Sequence, residues 1–485
     1  MRGVRFGFTV VGVCALLVLT TTHATAAGVW GEARPAVFGA GVQSATPDAR
    51  FESVSCASAG NCVAVGSFRN TSGGTEAFSM SSVAGVWGEA RPAVFGAGLQ
   101  SATPDARFES VSCASAGNCV AVGVFRNAAN LWEAFSMSSV AGVWGEARPA
   151  GIGDRIPAVF PQPYFESVSC GSAGNCVAVG TFQNASGEYE AFSMSMVSGV
   201  WGAPRPAVFG AGVQSATPYA YFNSVSCGSA GNCVAAGTFQ NASGGFEAFS
   251  MSLVAGVWGE ARPAVFGAGV QNANPDASFS SVSCASAGNC VAAGTFRNAA
   301  GGVEAFSMSL VSGVWGEARP AVFGAGVQNA NPYAIFNSVS CVSAGDCVAA
   351  GTFRNASGGT EAFSMSLVSG VWGSPRPAVF GAGVQNAIPD AVLGSVSCVS
   401  ARNCVAVGSF MNVAGGTEAF TMTTVDDTPS PSTTTVAPST TTVAPSSIAP
   451  VLPATGSEPD RTLVAALCAL VVGLAVMVRR RCLID

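Results

Sequence analysis

The chain has 485 residues, with 60 glycines, 17 cysteines and only 10% charged residues, a composition unlike that of ordinary globular domains. The formal net charge is −6 and no basic cluster or basic amphipathic stretch occurs, which argues against a nucleic-acid binder. The first segment reads as a secretory signal. Arg2 and Arg5 precede an apolar core from Phe6 to Leu19, and Ala24-Thr25-Ala26 supplies small residues for cleavage. Residues 1–27 are therefore expected to be removed, with the mature chain starting near Gly28; a retained anchor helix is the alternative. Cys14 follows Val13 rather than the small residue of a lipoprotein site.

From Gly28 the sequence repeats. Trp30, Trp87, Trp144, Trp201, Trp258, Trp315 and Trp372 are each 57 residues apart, and only Trp132 falls outside the series. A fixed period of this length marks a solenoid, propeller or array. Within a unit, VSC from Val54 and CVAVGSF from Cys62 are short β-rich runs, and Thr75 to Val83 alternates larger and smaller residues. Ala84-Gly85 supplies a tight turn, and Val86 to Arg91 a fourth strand that Pro92 ends, as suits an outer edge. Four antiparallel strands repeated seven times predict an all-β fold, a seven-bladed β-propeller spanning 28–426. An open β-solenoid or a string of small β units is the alternative. The SVSC and CVAVG signature resembles secreted actinobacterial propeller repeats over this whole region.

The phase of the repeat predicts closure. The mature chain begins with the VW strand and the seventh unit stops after its third, at Thr421 to Val425. The last blade lacks an outer strand and Val29 to Arg34 lacks a blade. Pairing the two would close the ring and remove the open ends that a linear array has to cap.

Each unit carries a C-x5-C pair: Cys56 with Cys62, Cys113 with Cys119, Cys170 with Cys176, Cys227 with Cys233, Cys284 with Cys290, Cys341 with Cys347, and Cys398 with Cys404. Across a hairpin these can bridge, and export permits oxidation. Each closed loop is worth roughly 2 kcal/mol. Zinc or redox chemistry is the weaker reading, since histidine and C-x2-C spacings are missing. Two charges also recur, Glu76, Glu133, Glu190, Glu247, Glu304, Glu361 and Glu418, and Arg34, Arg91, Arg148, Arg205, Arg262, Arg319 and Arg376. With a two-residue turn at Ala84-Gly85, Phe78 lies opposite Arg91 and Glu76 is its diagonal neighbour, which predicts a repeated cross-strand ion pair.

The only histidine, His23, lies in the signal, and the chain has no lysine. Histidine-activated nucleophiles, histidine metal sites and Schiff-base chemistry are thereby excluded from the mature protein. Carboxylate chemistry on glycans remains formally open. No acidic pair is read as unique to one blade, so the chain is expected not to be an enzyme and to need no cofactor or metal. Binding is expected on the face formed by the loops Arg69 to Gly74 and Gly39 to Arg50. Asn70 and its equivalents sit in the first loop, where turn formation is the simpler role. The second varies at one position: Asp48, Asp105, Gln162, Tyr219, Asp276, Tyr333 and Asp390. Blade three replaces the usual loop with Gly151 to Tyr164, and blade two introduces Leu131-Trp132, a contact residue or a packing one. The expected function is a surface-displayed binding or adhesion scaffold with an unknown protein or glycan ligand. A structural coat is the alternative, and a secreted glycan hydrolase or lyase a more distant one.

Residues 427–451 are rich in Thr, Pro and Ser and read as an extended stalk, reaching ~80 Å at ~3.1 Å per residue. Leu452-Pro453-Ala454-Thr455-Gly456, an apolar run over about 463–478 and Arg479-Arg480-Arg481 follow. This order resembles the LPxTG cell-wall sorting signal of Gram-positive bacteria. The resemblance implies sortase cleavage between Thr455 and Gly456 and covalent attachment to peptidoglycan. A plain C-terminal membrane anchor is the alternative, and both readings put the repeats outside the cell.

Overall fold

The computed structural model describes residues 28–151, 163–324, 326–328 and 331–425. The signal at 1–27, Gln162, the stalk, and the sorting segment with Thr455, Gly456 and the apolar run at 463–478 lie outside them.

Each repeat forms one antiparallel sheet. In the first, the inner strand Ala49–Ser58 turns into Asn61–Arg69, the loop Asn70 to Gly74 leads to Thr75–Val83, and the chain returns as an outer strand broken into Val86–Trp87 and Arg91–Pro92. Ala84 and Gly85 have φ of 49° and 84°, the two left-handed residues that a tight hairpin turn of this hand requires. Seven such sheets follow one another, and successive inner strands are neighbours around a central channel. The first inner strand packs on the seventh, so the ring is closed and the fold is a seven-bladed β-propeller.

Closure uses the predicted clasp. Val29 pairs with Val425, Trp30 with Thr424, Arg34 with Thr421 and Pro35 with Phe420, so the N-terminal segment is the outer strand of blade seven. Inner strands meet by a second device. The innermost strand of a sheet has no neighbour for its outward N–H groups, and a buried unpaired donor is costly. Here Ser53 and Ser55 accept hydrogen bonds from the Val111 and Cys113 amides of the next blade. The same pair recurs at every junction, including Val54 and Cys56 N–H to Ser395 and Ser397 Oγ between blades one and seven, all at 2.9–3.2 Å. The serines of SVSC are thus the ring's inner fasteners.

The hydrophobic core is seven equivalent cores lying between blades. Ala49, Phe51, Ala64, Phe68, Phe78 and Met80 of blade one pack on Val405, Val407 and Ala419 of blade seven, while Val63, Val65 and Ala77 on the opposite face of blade one pack on blade two. Strand alternation in CVAV thus serves two cores at once. All seven cysteine pairs are disulfides across the inner hairpin, consistent with folding in an oxidising compartment.

The predicted ion pair does not form among the described residues. The outer strand gains one residue after Trp87: Ser82 faces Trp87, but Ser79 rather than Phe78 faces Arg91. A one-residue slip turns every later side chain to the other face. Arg91 is exposed, and Glu76 instead accepts a 2.5 Å hydrogen bond from Asn70 Nδ2.

Candidate functional site

Every inner strand carries a β-bulge two residues before its VSC, where six blades read F-x-S and blade seven reads LGS. In blade one Phe51 pairs with Gly66 and Ser53 with Val65, which leaves Glu52 between them unpaired. The carbonyl of Arg50 is pressed so close to Gly66 that a Cβ there would meet it at 2.0 Å, and this explains the glycine of CVAVG. A bulge re-aims its residue out of the sheet. In blades four and six the bulge residue is asparagine, and it reaches the next inner strand: Asn223 Nδ2 donates to Phe279 O at 2.8 Å and Asn337 Nδ2 to Leu393 O at 2.9 Å. In blades one, two and three it is Glu52, Glu109 and Glu166.

Three carboxylates are thereby gathered at one sector of the channel. Burial and the neighbouring Glu109 raise the Glu52 carboxyl to about 7, against the pull of Arg50 and Arg107. Glu166 is raised to about 7 by burial and by Glu109, with Arg107 opposing. Glu109 between them accepts a hydrogen bond from Arg107 Nε. No described residue donates a hydrogen bond to the side chain of Glu52 or Glu166. The cluster has acidic groups that hold their protons near neutrality, flanking one tied to a guanidinium.

Two residues nearer the rim, the same strands carry Arg50, Arg107, Tyr164 and Tyr221, and the starts of the third strands carry Thr75, Trp132, Tyr189 and Phe246. In blades two to four these make an aromatic arc of two ring groups. Trp132 lies 6.3 Å from Tyr164 and has the guanidinium groups of Arg126 and Arg107 at 4.5 and 5.5 Å from its ring centroid. Tyr189 stacks on Tyr221 at 5.4 Å and meets Tyr219 edge-on at 5.6 Å, and Tyr219 contacts Tyr221 at 4.9 Å and Phe246 at 5.4 Å. Burial raises the Tyr164 and Tyr221 hydroxyls, the latter helped by its hydrogen bond with Tyr219.

The structure places the sequence-derived candidates unevenly around this sector. Asp105 pairs with Arg126 at 3.1 Å and so supports Trp132, and Tyr219 belongs to the arc. Asp48 lies 3.4 Å from Arg50 and 3.6 Å from Arg69 at the blade-one edge. Tyr333 is apart, against Arg354 in blade six at 5.3 Å. Asn70 shapes its turn: Oδ1 accepts from the amides of Ser72 and Gly74 while Nδ2 holds Glu76. Glu52, Glu109, Glu166, Arg107, Tyr164, Tyr189 and Tyr221 were missed. Comparing equivalent positions across the seven copies finds them, because the bulge position reads Glu, Glu, Glu, Asn, Ser, Asn, Gly around the ring. The opposite face has cavities of about 880 Å³ between blades four and five and about 360 Å³ between blades three and four. Residues that recur in every blade line them, Trp258 and Arg262 among them.

No family model matches the chain, and no curated protein matches its sequence. Solved structures do share its fold. The Hadza microbial sialidase is 11% identical with a TM-score of 0.41, over 79% of this chain and 66% of that one, so this chain spans less than two thirds of the sialidase. A polysaccharide lyase described as an ulvan lyase is 10% identical with a TM-score of 0.43, over 83% and 94% of the two chains. The α-L-arabinanase of Penicillium chrysogenum is 11% identical with a TM-score of 0.37, over 65% and 93%. The structure corrects the expectation that the chain is not an enzyme, which rested on no acidic group being peculiar to particular blades: the channel holds an acidic cluster confined to three. At such identities the likeness concerns the fold alone, and what the site does rests on its own residues.

Proposed function

We propose that this chain is an exported, surface-displayed propeller that takes a glycan at the channel mouth over blades one to four. The observation that supports the reading is the coincidence, in one sector of one face, of the aromatic arc from Trp132 to Tyr221 with Arg107 and the three bulge carboxylates. Flat aromatic faces pack against the apolar faces of sugar rings, and a few convergent polar groups orient the hydroxyls. The remaining blades carry Val303, Thr360 and Thr417 where the arc has Trp132, Tyr189 and Phe246, so the site has a definite edge. The LPxTG-like segment would join Thr455 to peptidoglycan, with 427–451 as the stalk.

The test is a broad glycan array followed by calorimetry with the exported protein. Trp132→Ala and Tyr189→Ala should each weaken binding about tenfold or more, the equivalent of about 1.4 kcal/mol, with an unchanged melting temperature. Retention of no glycan on the array would overturn the reading.

A further inference from the structure

The bulge position has a structural use that two of its seven occupants fill. In blades four and six, Asn223 and Asn337 give a proton to the carbonyl of the next blade and so tie neighbouring inner strands together. An ionised carboxylate has no proton to give, and set against such a carbonyl it is repelled. Three adjacent blades nevertheless carry Glu52, Glu109 and Glu166 there, side by side, where like charges raise one another's cost. They lie under the end of the channel that carries the aromatic arc. The seven-fold alternative, an asparagine in every blade, is compatible with the same bulge. The sector thus gives up interblade bonds for acidic groups where the rings would hold a sugar.

We propose that Glu166 and Glu109 are the acid and base of glycoside hydrolysis at this channel mouth, an inference that rests on the glycan reading above. Glu166 is the acid because it lies in blade three within electrostatic reach of both Tyr164 and Tyr221 of the arc, while Glu52 lies in blade one beside Arg50. Its O–H passes the proton to the glycosidic oxygen as the bond from that oxygen to the anomeric carbon breaks. Glu109, which accepts a hydrogen bond from Arg107 Nε, takes a proton from a water molecule whose oxygen bonds to the same carbon. One water is consumed and two hydroxyl groups appear. Glu109 then returns its proton to solvent while Glu166 regains one. Burial that keeps the Glu166 proton in place near neutrality fits the acid, and the Arg107 hydrogen bond that holds Glu109 in position fits the base.

The experiment uses the full exported chain with nitrophenyl and dinitrophenyl glycosides of the common pyranoses, and with whichever glycan the array retains. The wild type should release the phenol and new reducing ends, with a rate that falls as pH rises past about 7. Glu166→Gln should lose about 10²- to 10⁴-fold on the glycan and change little on the dinitrophenyl glycoside, whose leaving group needs no proton. Glu109→Gln should lose on both. Retained glycan binding in each variant, measured by calorimetry, shows that the fold and the binding site survive. Binding of glycan by the wild type without any turnover would overturn the acid–base inference and leave the glycan reading standing. Absence of glycan binding would overturn both. Equal losses on the two substrates in Glu166→Gln would overturn its role as the acid.

Discussion

At the scale of single residues, the bulge glutamates make stability depend on pH in an unusual sense. A free glutamate titrates near 4.5, whereas Glu52 and Glu166 in the folded ring titrate at about 7. Between these values the folded state holds more protons than the unfolded one, so stability from this source is greatest below about 4.5, falls as pH rises to about 7, and is level above it. The melting temperature of the wild type should therefore decline across that window, and the Glu52→Gln, Glu166→Gln double variant should show a flatter profile. A wild-type melting temperature that climbs from pH 5 to 7.5 would contradict the assignment. These residues were illegible in the sequence for a definite reason. The average of the repeat hides them, because a bulge residue looks like any polar residue ahead of a strand until the seven copies are compared position by position. Glu76 misled in the opposite direction: its recurrence with Arg91 looked like pairing, but the extra residue in the outer strand turned Arg91 away and left Glu76 to Asn70.

At the scale of the element, the inner strand was legible as a strand and not as a joint. Val54 to Cys56 alternates as a strand should, but that Ser53 and Ser55 supply acceptors to a neighbouring blade follows only when successive inner strands are set around an axis. The junction that joins blade seven to blade one tests this. Replacing both Ser395 and Ser397 by alanine leaves the Val54 and Cys56 amides without partners, at a cost of about 1–3 kcal/mol each. Denaturant unfolding should show a loss of that order. A double variant as stable as the wild type would mean that water or a shift of the strand replaces the hydroxyls.

At the scale of the whole molecule, the period and phase of the repeat carried most of the fold. The count of blades, the disulfide pairs and the N-terminal clasp all follow from spacing, since seven copies in unbroken register leave little freedom in topology. Removing Gly28 to Phe38 takes away the outer strand of blade seven, and Phe38, whose ring lies 5.1 Å from both Phe68 and Phe78. The shortened protein should lose cooperative unfolding and become sensitive to proteolysis; an unchanged melting temperature would contradict closure by the clasp. The functional asymmetry runs against this regularity. Blades one to four differ from the rest at the channel mouth while the serines, disulfides and cores stay uniform, so the scaffold leaves individual sectors free to change without altering the ring.

The clasp also sets the order in which the protein can mature. The segment with Val29 and Trp30 lies at the start of the repeats, and its partners Thr424 and Val425 lie at their end. A chain that emerges N-terminus first therefore carries an unpaired outer strand through the synthesis of all seven repeats. Joining ends separated by almost the whole propeller has the largest loop-closure entropy of any pairing in the fold, even though that cost grows only logarithmically with length. The six interior blades complete their outer strands by local hairpins and can form as they emerge, and blade seven waits. Until it closes, the nascent ring is an open arc whose end blades expose the faces that pack in the closed ring, Phe51 and Phe78 of blade one and Val405 and Val407 of blade seven. The last step of folding thus buries apolar surface prone to association with another copy.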